Sequence, residues 1–252
     1  MKVLTNLRFW DVDLARGVAI VMVVLYHLIY DLDNFGGYGI ESTSGIWGVF
    51  ADVSAFVFIF LVGLSLSIIY ERAGAAVPGR SLFGKYLLRE LRIFGYGMLV
   101  TFLFWVFGLG AVVFGILHLI GLSIILAYPF LRLRYANLLL GLSLIAAGAY
   151  VQAQDFVAGG VVGVLLTPLG VVPEGLFMPD YRPLLPWFGV VLLGVFFGNA
   201  AYLPWKKSPP SPTPRAAAPL AFLGRHTLLI YLIHQPILIA TLWILGATGE
   251  GL

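Results

Sequence analysis

No cysteine occurs among the 252 residues. Thiol nucleophiles, disulfides and cysteine-ligated metals are therefore excluded. Charge is scarce too: Asp, Glu, Lys and Arg make up only 11% of the chain, against about 25% in a soluble domain. The four histidines show no i, i+4 pairing with a separate Glu, so no zinc helix is present. Strict apolar–polar alternation, the mark of a membrane barrel, is missing. No internal repeat points to an inverted-repeat transporter. A secretory leader is not expected either. Lys2 and Arg8 make a basic start, but Asp11, Asp13 and Arg16 interrupt the approach to the apolar run, and no small-residue cleavage pattern follows.

What the chain has is apolar length. Hydrophobic residues make up 60% of it, which makes it an integral membrane protein of one domain, residues 1–252. About 20 apolar residues cross a bilayer as a helix. Seven such segments are expected at roughly 9–31, 46–70, 86–107, 111–131, 136–153, 184–203 and 217–246. The fold class is all-α, a polytopic transmembrane helix bundle.

The basic residues sort to one side. The N-terminal end carries Lys2, Arg8 and Arg16. The second connection carries Arg72, Arg80, Lys85, Arg89 and Arg92, and the fourth Arg132 and Arg134. The sixth, with the start of the last helix, carries Lys206, Lys207, Arg215 and Arg225. The other side has Arg182 alone, among mostly acidic residues. Positive-inside sorting then puts the N-terminus in the cytoplasm and the C-terminus outside. With basic residues so employed, the net charge of +3 gives no reason to expect a nucleic acid partner. Residues 204–219, with the run SPPSPTPRAAAP, read as a stiff cytoplasmic linker. Residues 154–183 read as an outer loop or re-entrant cap, because the apolar stretch 157–172 is broken by Gly and Pro; an eighth span is the alternative. The 30 glycines form no phosphate-cradling loop and suit close helix packing.

The first helix carries an ionisable stripe. At 100° per residue Asp13 and Asp31 fall at one angle, with Arg16 about 60° and His27 about 40° to one side. Arg16 and His27 lie three turns apart, about 16 Å along the axis. Asp13 and Arg16 (i, i+3) can neutralise each other, and His27 and Asp31 (i, i+4) can hydrogen-bond. A charge at the bilayer centre costs roughly 2.5–3.5 kcal/mol, so the stripe has either a packing role between helices or a chemical one. A carboxylate one turn from a histidine suits a base that must accept a proton.

The stretch Asp13-Leu-Ala-Arg16-Gly followed by His27 resembles the R-x10-H signature of the type-three membrane acyltransferases. FIFLVGLSLS (58–67), LRELRIFGYG (88–97), FGILHLIGL (114–122), RPLLPWFGVVLLGVFFG (182–198) and LGRHTLLIYLIHQPIL (223–238) resemble prokaryotic relatives of the heparan-α-glucosaminide N-acetyltransferase catalytic domain. The likeness runs from about residue 8 to 240. It implies a protein of the prokaryotic cytoplasmic membrane that takes an acyl group, often acetyl, from cytoplasmic acyl-CoA. The group passes to a hydroxyl or amine of a sugar or glycan on the far side. It also implies a homodimer, with membrane lipids as its surroundings. The anionic CoA head would dock among Arg89, Arg92, Arg132, Arg134 and Arg225, Arg92 and Arg225 lying beside family-like motifs; plain positive-inside sorting is the other reading. The pantetheine arm would run along the stripe toward His27. One departure stands out. The lysosomal branch keeps its active histidine after this helix, whereas no histidine occurs here between residues 28 and 117. His27 thus carries over from the R-x10-H signature.

The site expected from these readings has His27 as general base, oriented by Asp31, and Arg16, held by Asp13, positioning the donor or steadying negative charge. An acyl-histidine intermediate is the covalent version. His118, about seven residues from the outer end of the fourth helix, is either a second acid/base group or a packed histidine. His234 and Gln235 precede Pro236, and either line the donor site or re-satisfy the backbone there. Asp31, Asp180, Arg182 and Trp187 flank the outer mouth, where Trp187 either anchors at the interface or stacks on a sugar. No metal is expected. The competing class is a transporter or flippase, since a polar stripe also conducts protons or a polar solute.

Overall fold

The computed structural model describes residues 8–74, 79–106, 112–154, 156–173, 175, 178, 180–205 and 211–248. It is all-helical apart from one pair of two-residue strands. The chain divides into two compact units, residues 1–61 with 206–252, and residues 62–205.

In the first unit α1 (Trp10–Asn34) packs against two helices from the C-terminal end of the chain, α9 (Ala218–Arg225) and α10 (Thr227–Ile244). Its buried positions Val12, Asp13, Ala19, Ile20, Val23, Tyr30 and Asp31 recur at helical spacing and include the stripe carboxylates. The opposite face shows Val18, Val21 and Leu25. A helix facing water would carry charge there, so this outward apolar face belongs against lipid. The N-terminal half of α2 (Gly45–Gly74) joins this unit, where Phe58 and Tyr231 of α10 have ring centroids 6.3 Å apart.

Two glycines set how closely α1 and α9 approach. A Cβ on Gly17 would lie 1.9 Å from the Leu220 carbonyl oxygen, and one on Gly224 would lie 1.7 Å from that of Asp13. Neither site has room for a methyl group, because backbone stands in its place.

One helix expected over 217–246 is instead two. His226 adopts a non-helical backbone between α9 and α10. The carbonyls left open at the end of α9 are taken locally: His226 Nδ1 donates to Phe222 O at 2.9 Å, and Thr227 Oγ1 donates to Gly224 O at 2.6 Å. The short α9 is thereby free to take its own angle against α1.

The second unit contains α3 (Gly79–Val106), α4 (Ile116–Ala127), α5 (Tyr135–Ala153), α6 (Gly160–Leu166) and α7 (Leu184–Phe197). A π turn over Gly198–Tyr202 and the three-residue α8 (Leu203–Trp205) prolong α7. α5 and α7 meet through Gly141 and Gly189, each facing the other's carbonyl oxygen. α3 packs on α4. The C-terminal half of α2 meets α7, where a Cβ on Gly63 would strike the Val191 carbonyl.

Among the described residues five helices are long and apolar enough to cross a membrane: α1, α2, α5, α10, and α7 taken with its extension. Over 157–172, α6 and a 3-10 turn (Thr167–Leu169) rise about 16 Å, half of the roughly 30 Å hydrocarbon layer. This stretch is too short to cross. The strands β1 (Val157–Ala158) and β2 (Val172–Pro173), paired in parallel, close it into a small cap. Tyr181 staples the cap by donating its hydroxyl to Thr167 O at 2.7 Å. Burial pushes its phenol up to about 12, so it remains a donor at neutral pH.

Candidate active site

The stripe on α1 meets a polar pair on α10. His27 is half-buried and His234 buried, with ring centroids 4.8 Å apart in an edge-to-face arrangement. One turn on from His27 along α1, Asp31 Oδ1 accepts from Nε2 of Gln235, the residue after His234, at 2.6 Å. The two i, i+4 and i, i+1 pairs thus form one cluster, although 204 residues of chain separate Asp31 from Gln235.

Local backbone fixes the chemistry of His234. Its Nδ1 lies 2.7 Å from the Tyr231 carbonyl. A carbonyl only accepts, so Nδ1 carries the hydrogen and, in the neutral ring, Nε2 keeps its lone pair. His234 bonds the carbonyl three residues back and stays beside His27. Asp31 is fully buried, and among the described residues no donor reaches its Oδ2. Among the described residues Gln235 is therefore the side chain that holds that carboxylate. Gln235→Leu is expected to cost about 1–3 kcal/mol of stability, since it strands a buried acceptor. A thermal denaturation of the two proteins in the same detergent checks this.

At the other end of the stripe Arg16 Nη1 lies 3.3 Å from Asp13 Oδ1, as the i, i+3 spacing predicts. Asp13 is almost wholly buried while Arg16 keeps about a third of its side chain exposed. The guanidinium reaches outward from a carboxylate fixed inside.

The second unit places the remaining candidates. His118 is 2% exposed and sits in the first turn of α4. The Gly115 backbone N–H donates to its Nδ1 at 3.2 Å, which puts the ring proton of the neutral form on Nε2, 3.5 Å from Thr101 Oγ1. Thr101 in turn donates to the Val112 carbonyl. His118 therefore closes the start of its own helix. Asp180 does the same from a distance, its Oδ2 accepting from the Ile116 N–H at 3.2 Å. The Arg182 guanidinium carbon lies 5.2 Å over the ring of the nearly buried Trp187, a cation–π contact that covers one face of the indole. These residues form a second polar group, around the start of α4 and the cap.

Arg92 on α3 and Arg225 at the end of α9 are exposed. Arg89 lies on α3 with its side chain outside the described residues. The periodicity of α1 gave no hint of His234's tautomer or of Gln235's partner. The signal available was a His-Gln pair before a proline inside an apolar helix. Among the described residues no three His, Asp or Glu side chains converge as a metal site.

A family model described as heparan-alpha-glucosaminide N-acetyltransferase, catalytic, matches residues 8–236. Neither the curated proteins nor the solved structures contain a significant match. With a match over nine-tenths of its length and helices apolar enough to span a bilayer, the chain belongs to the heparan-alpha-glucosaminide N-acetyltransferase catalytic family of transmembrane acyltransferases.

Proposed function

We propose that the protein moves an acetyl or longer acyl group from cytoplasmic acyl-CoA to a hydroxyl or amine of a sugar or glycan on the outer side of the prokaryotic cytoplasmic membrane. The observation that carries this reading is the His27–His234 contact at 4.8 Å beside the Asp31–Gln235 hydrogen bond. Family membership supplies the reaction class, and acetyl-CoA is the family's usual donor. The orientation follows from the one-sided arginines and lysines.

In this reading His27 removes the proton from the acceptor as its oxygen or nitrogen attacks the thioester carbonyl. The C–S bond breaks, and the CoA thiolate leaves with the proton from the imidazolium. His234 has its Nδ1–H anchored on Tyr231 O, which leaves Nε2 to share the proton that His27 gains. Asp31, held by Gln235, offsets the imidazolium charge. Arg16, braced by Asp13, grips the donor's anionic portion.

The test uses the purified protein in nanodiscs with acetyl-CoA and a panel of amino and neutral sugars. Because the chain has no cysteine, a thiol-reactive dye reads released CoA without background from the protein. Acceptor-dependent thiol release is the expected result. Solute flux into proteoliposomes with the thioester intact would establish the transporter class instead.

A further inference from the structure

α10 carries a single amide side chain, Gln235, in an otherwise apolar stretch. An amide placed there is costly unless both of its ends find partners. One end does: Nε2 donates to Asp31 Oδ1 at 2.6 Å. The other end, the Gln235 carbonyl oxygen, is buried, and among the described residues no donor reaches it. The same is true of Asp31 Oδ2, on a carboxylate with none of its surface exposed. The two groups are bonded to each other, so their remaining acceptor atoms lie side by side.

A count of hydrogens shows the imbalance. An ionised carboxylate has about four acceptor positions and an amide oxygen two, against the two hydrogens of one amide nitrogen. A buried acceptor left without a hydrogen is costlier than an apolar group in the same place. An excess of acceptors therefore suits a site to which something else brings donors. Under the acyl-transfer reading, on which this rests, one incoming hydrogen belongs to the reacting group and His27 removes it. Asp31 must keep its charge to offset the imidazolium. Whatever donates to Asp31 Oδ2 must then hold its hydrogen throughout, so it is a different group.

We infer that the Asp31–Gln235 pair is a specificity subsite that reads a second O–H or N–H next to the acceptor's reacting group. The class of acceptor it selects is a vicinal diol or amino alcohol, as on a sugar ring, over an isolated hydroxyl or amine. The spacing fits. His27 and Asp31 are four residues apart on one helix, with Cβ atoms about 5–6 Å apart, and their side chains reach to the same side to meet two groups on adjacent carbons. No bond forms or breaks at the subsite. It reads the neighbour of the reacting atom, so the selection holds whether that atom is oxygen or nitrogen.

The test uses the full chain in nanodiscs with one ring skeleton as probe. 2-Aminocyclohexanol and cyclohexane-1,2-diol carry two donors. Cyclohexylamine and cyclohexanol carry one, and 2-methoxycyclohexylamine keeps the second oxygen without its hydrogen. Dissociation constants come from ligand-observed NMR without acyl-CoA, and kcat/KM from thiol release with acetyl-CoA. The two-donor rings are expected to bind about 10- to 100-fold more tightly than their one-donor partners, the worth of a hydrogen bond to a charged group. The methoxy ring is expected to behave as a one-donor ring. Gln235→Met, which removes the amide and keeps the length, is expected to bring the preference close to unity; the ring series on wild-type protein decides the matter if that variant does not fold. Equal binding across the panel, or a methoxy ring as tight as 2-aminocyclohexanol, would overturn the assignment, and an ordered water or a proton on Asp31 would then satisfy the two acceptors. Two-donor rings that fail to bind, or a full preference retained in Gln235→Met, would overturn it too. A binding preference with no thiol release from any ring keeps the subsite and contradicts acyl transfer. Thiol release without preference keeps acyl transfer and overturns the subsite.

Discussion

His27→Ala is expected to lower acceptor-dependent CoA release by about 10²–10⁴-fold, the usual worth of a positioned general base, with the protein still folded. The side chain is half-buried and its nearest described ring is that of His234, 4.8 Å away, so its removal leaves the backbone contacts of α1 with α9 untouched. His234→Ala is expected to produce a smaller loss and to move the acid limb of the pH–rate profile, because the remaining imidazole then holds its proton alone. His27→Gln keeps a polar group of similar size but no base, and is expected to behave like the alanine variant. Equal activity in His27→Gln and wild type would assign the histidine to packing, the glue role that polar residues also serve in membranes.

The second large effect lies at the α1–α9 contact. Gly224→Ala is expected to destabilise by at least the 1–3 kcal/mol usual for overpacking, because the added methyl would sit 1.7 Å from the Asp13 carbonyl oxygen. That oxygen is backbone and cannot rotate away, so the two helices must separate. Gly17→Ala meets the Leu220 carbonyl in the same way at 1.9 Å. Both variants are also expected to lose activity, since separating α9 from α1 disturbs the turn that carries Asp13 and Arg16. Gly37→Ala is the comparison. Gly37 has φ +68 with nothing within 4 Å of a Cβ, so its cost is the left-handed backbone alone, about 1–2 kcal/mol, with activity preserved. Thermal midpoints in one detergent, with turnover on the same preparations, check all three.

Much of this arrangement is legible in the residue order. Helix spacing places Asp13, Arg16 and Asp31 on one face, and the i, i+3 pairing of Asp13 with Arg16 is present at 3.3 Å. Both carboxylates are buried, as a stripe facing protein requires. The broken apolar stretch at 157–172 forms only a seven-residue helix and a 3-10 turn between two short strands, because glycine and proline interrupt it. Periodicity reports on one helix at a time, however. The partner that closes Asp31 is a glutamine on a helix near the other end of the chain, and no local pattern specifies that pairing. The break at His226 follows Gly224 and Arg225, residues equally at home at the basic end of an unbroken membrane helix, and side chains satisfy the freed carbonyls. His118 is the reverse case. Its depth in an apolar helix leaves two readings open, an acid/base group or a packed histidine, and only the structure shows the backbone amide three residues earlier that donates to it. The π turn after α7 likewise leaves little trace beyond Gly198 and Asn199, both of which are also at home in an ordinary membrane helix.

The most direct measurement of the central proposal is an experimental structure with a non-hydrolysable acyl-CoA analogue bound. The expected result is the analogue's carbonyl carbon and sulfur beside the His27–His234 pair, with a histidine nitrogen about 3–3.5 Å from the place an attacking oxygen or nitrogen would occupy. An analogue whose reactive end lies away from both rings would contradict it.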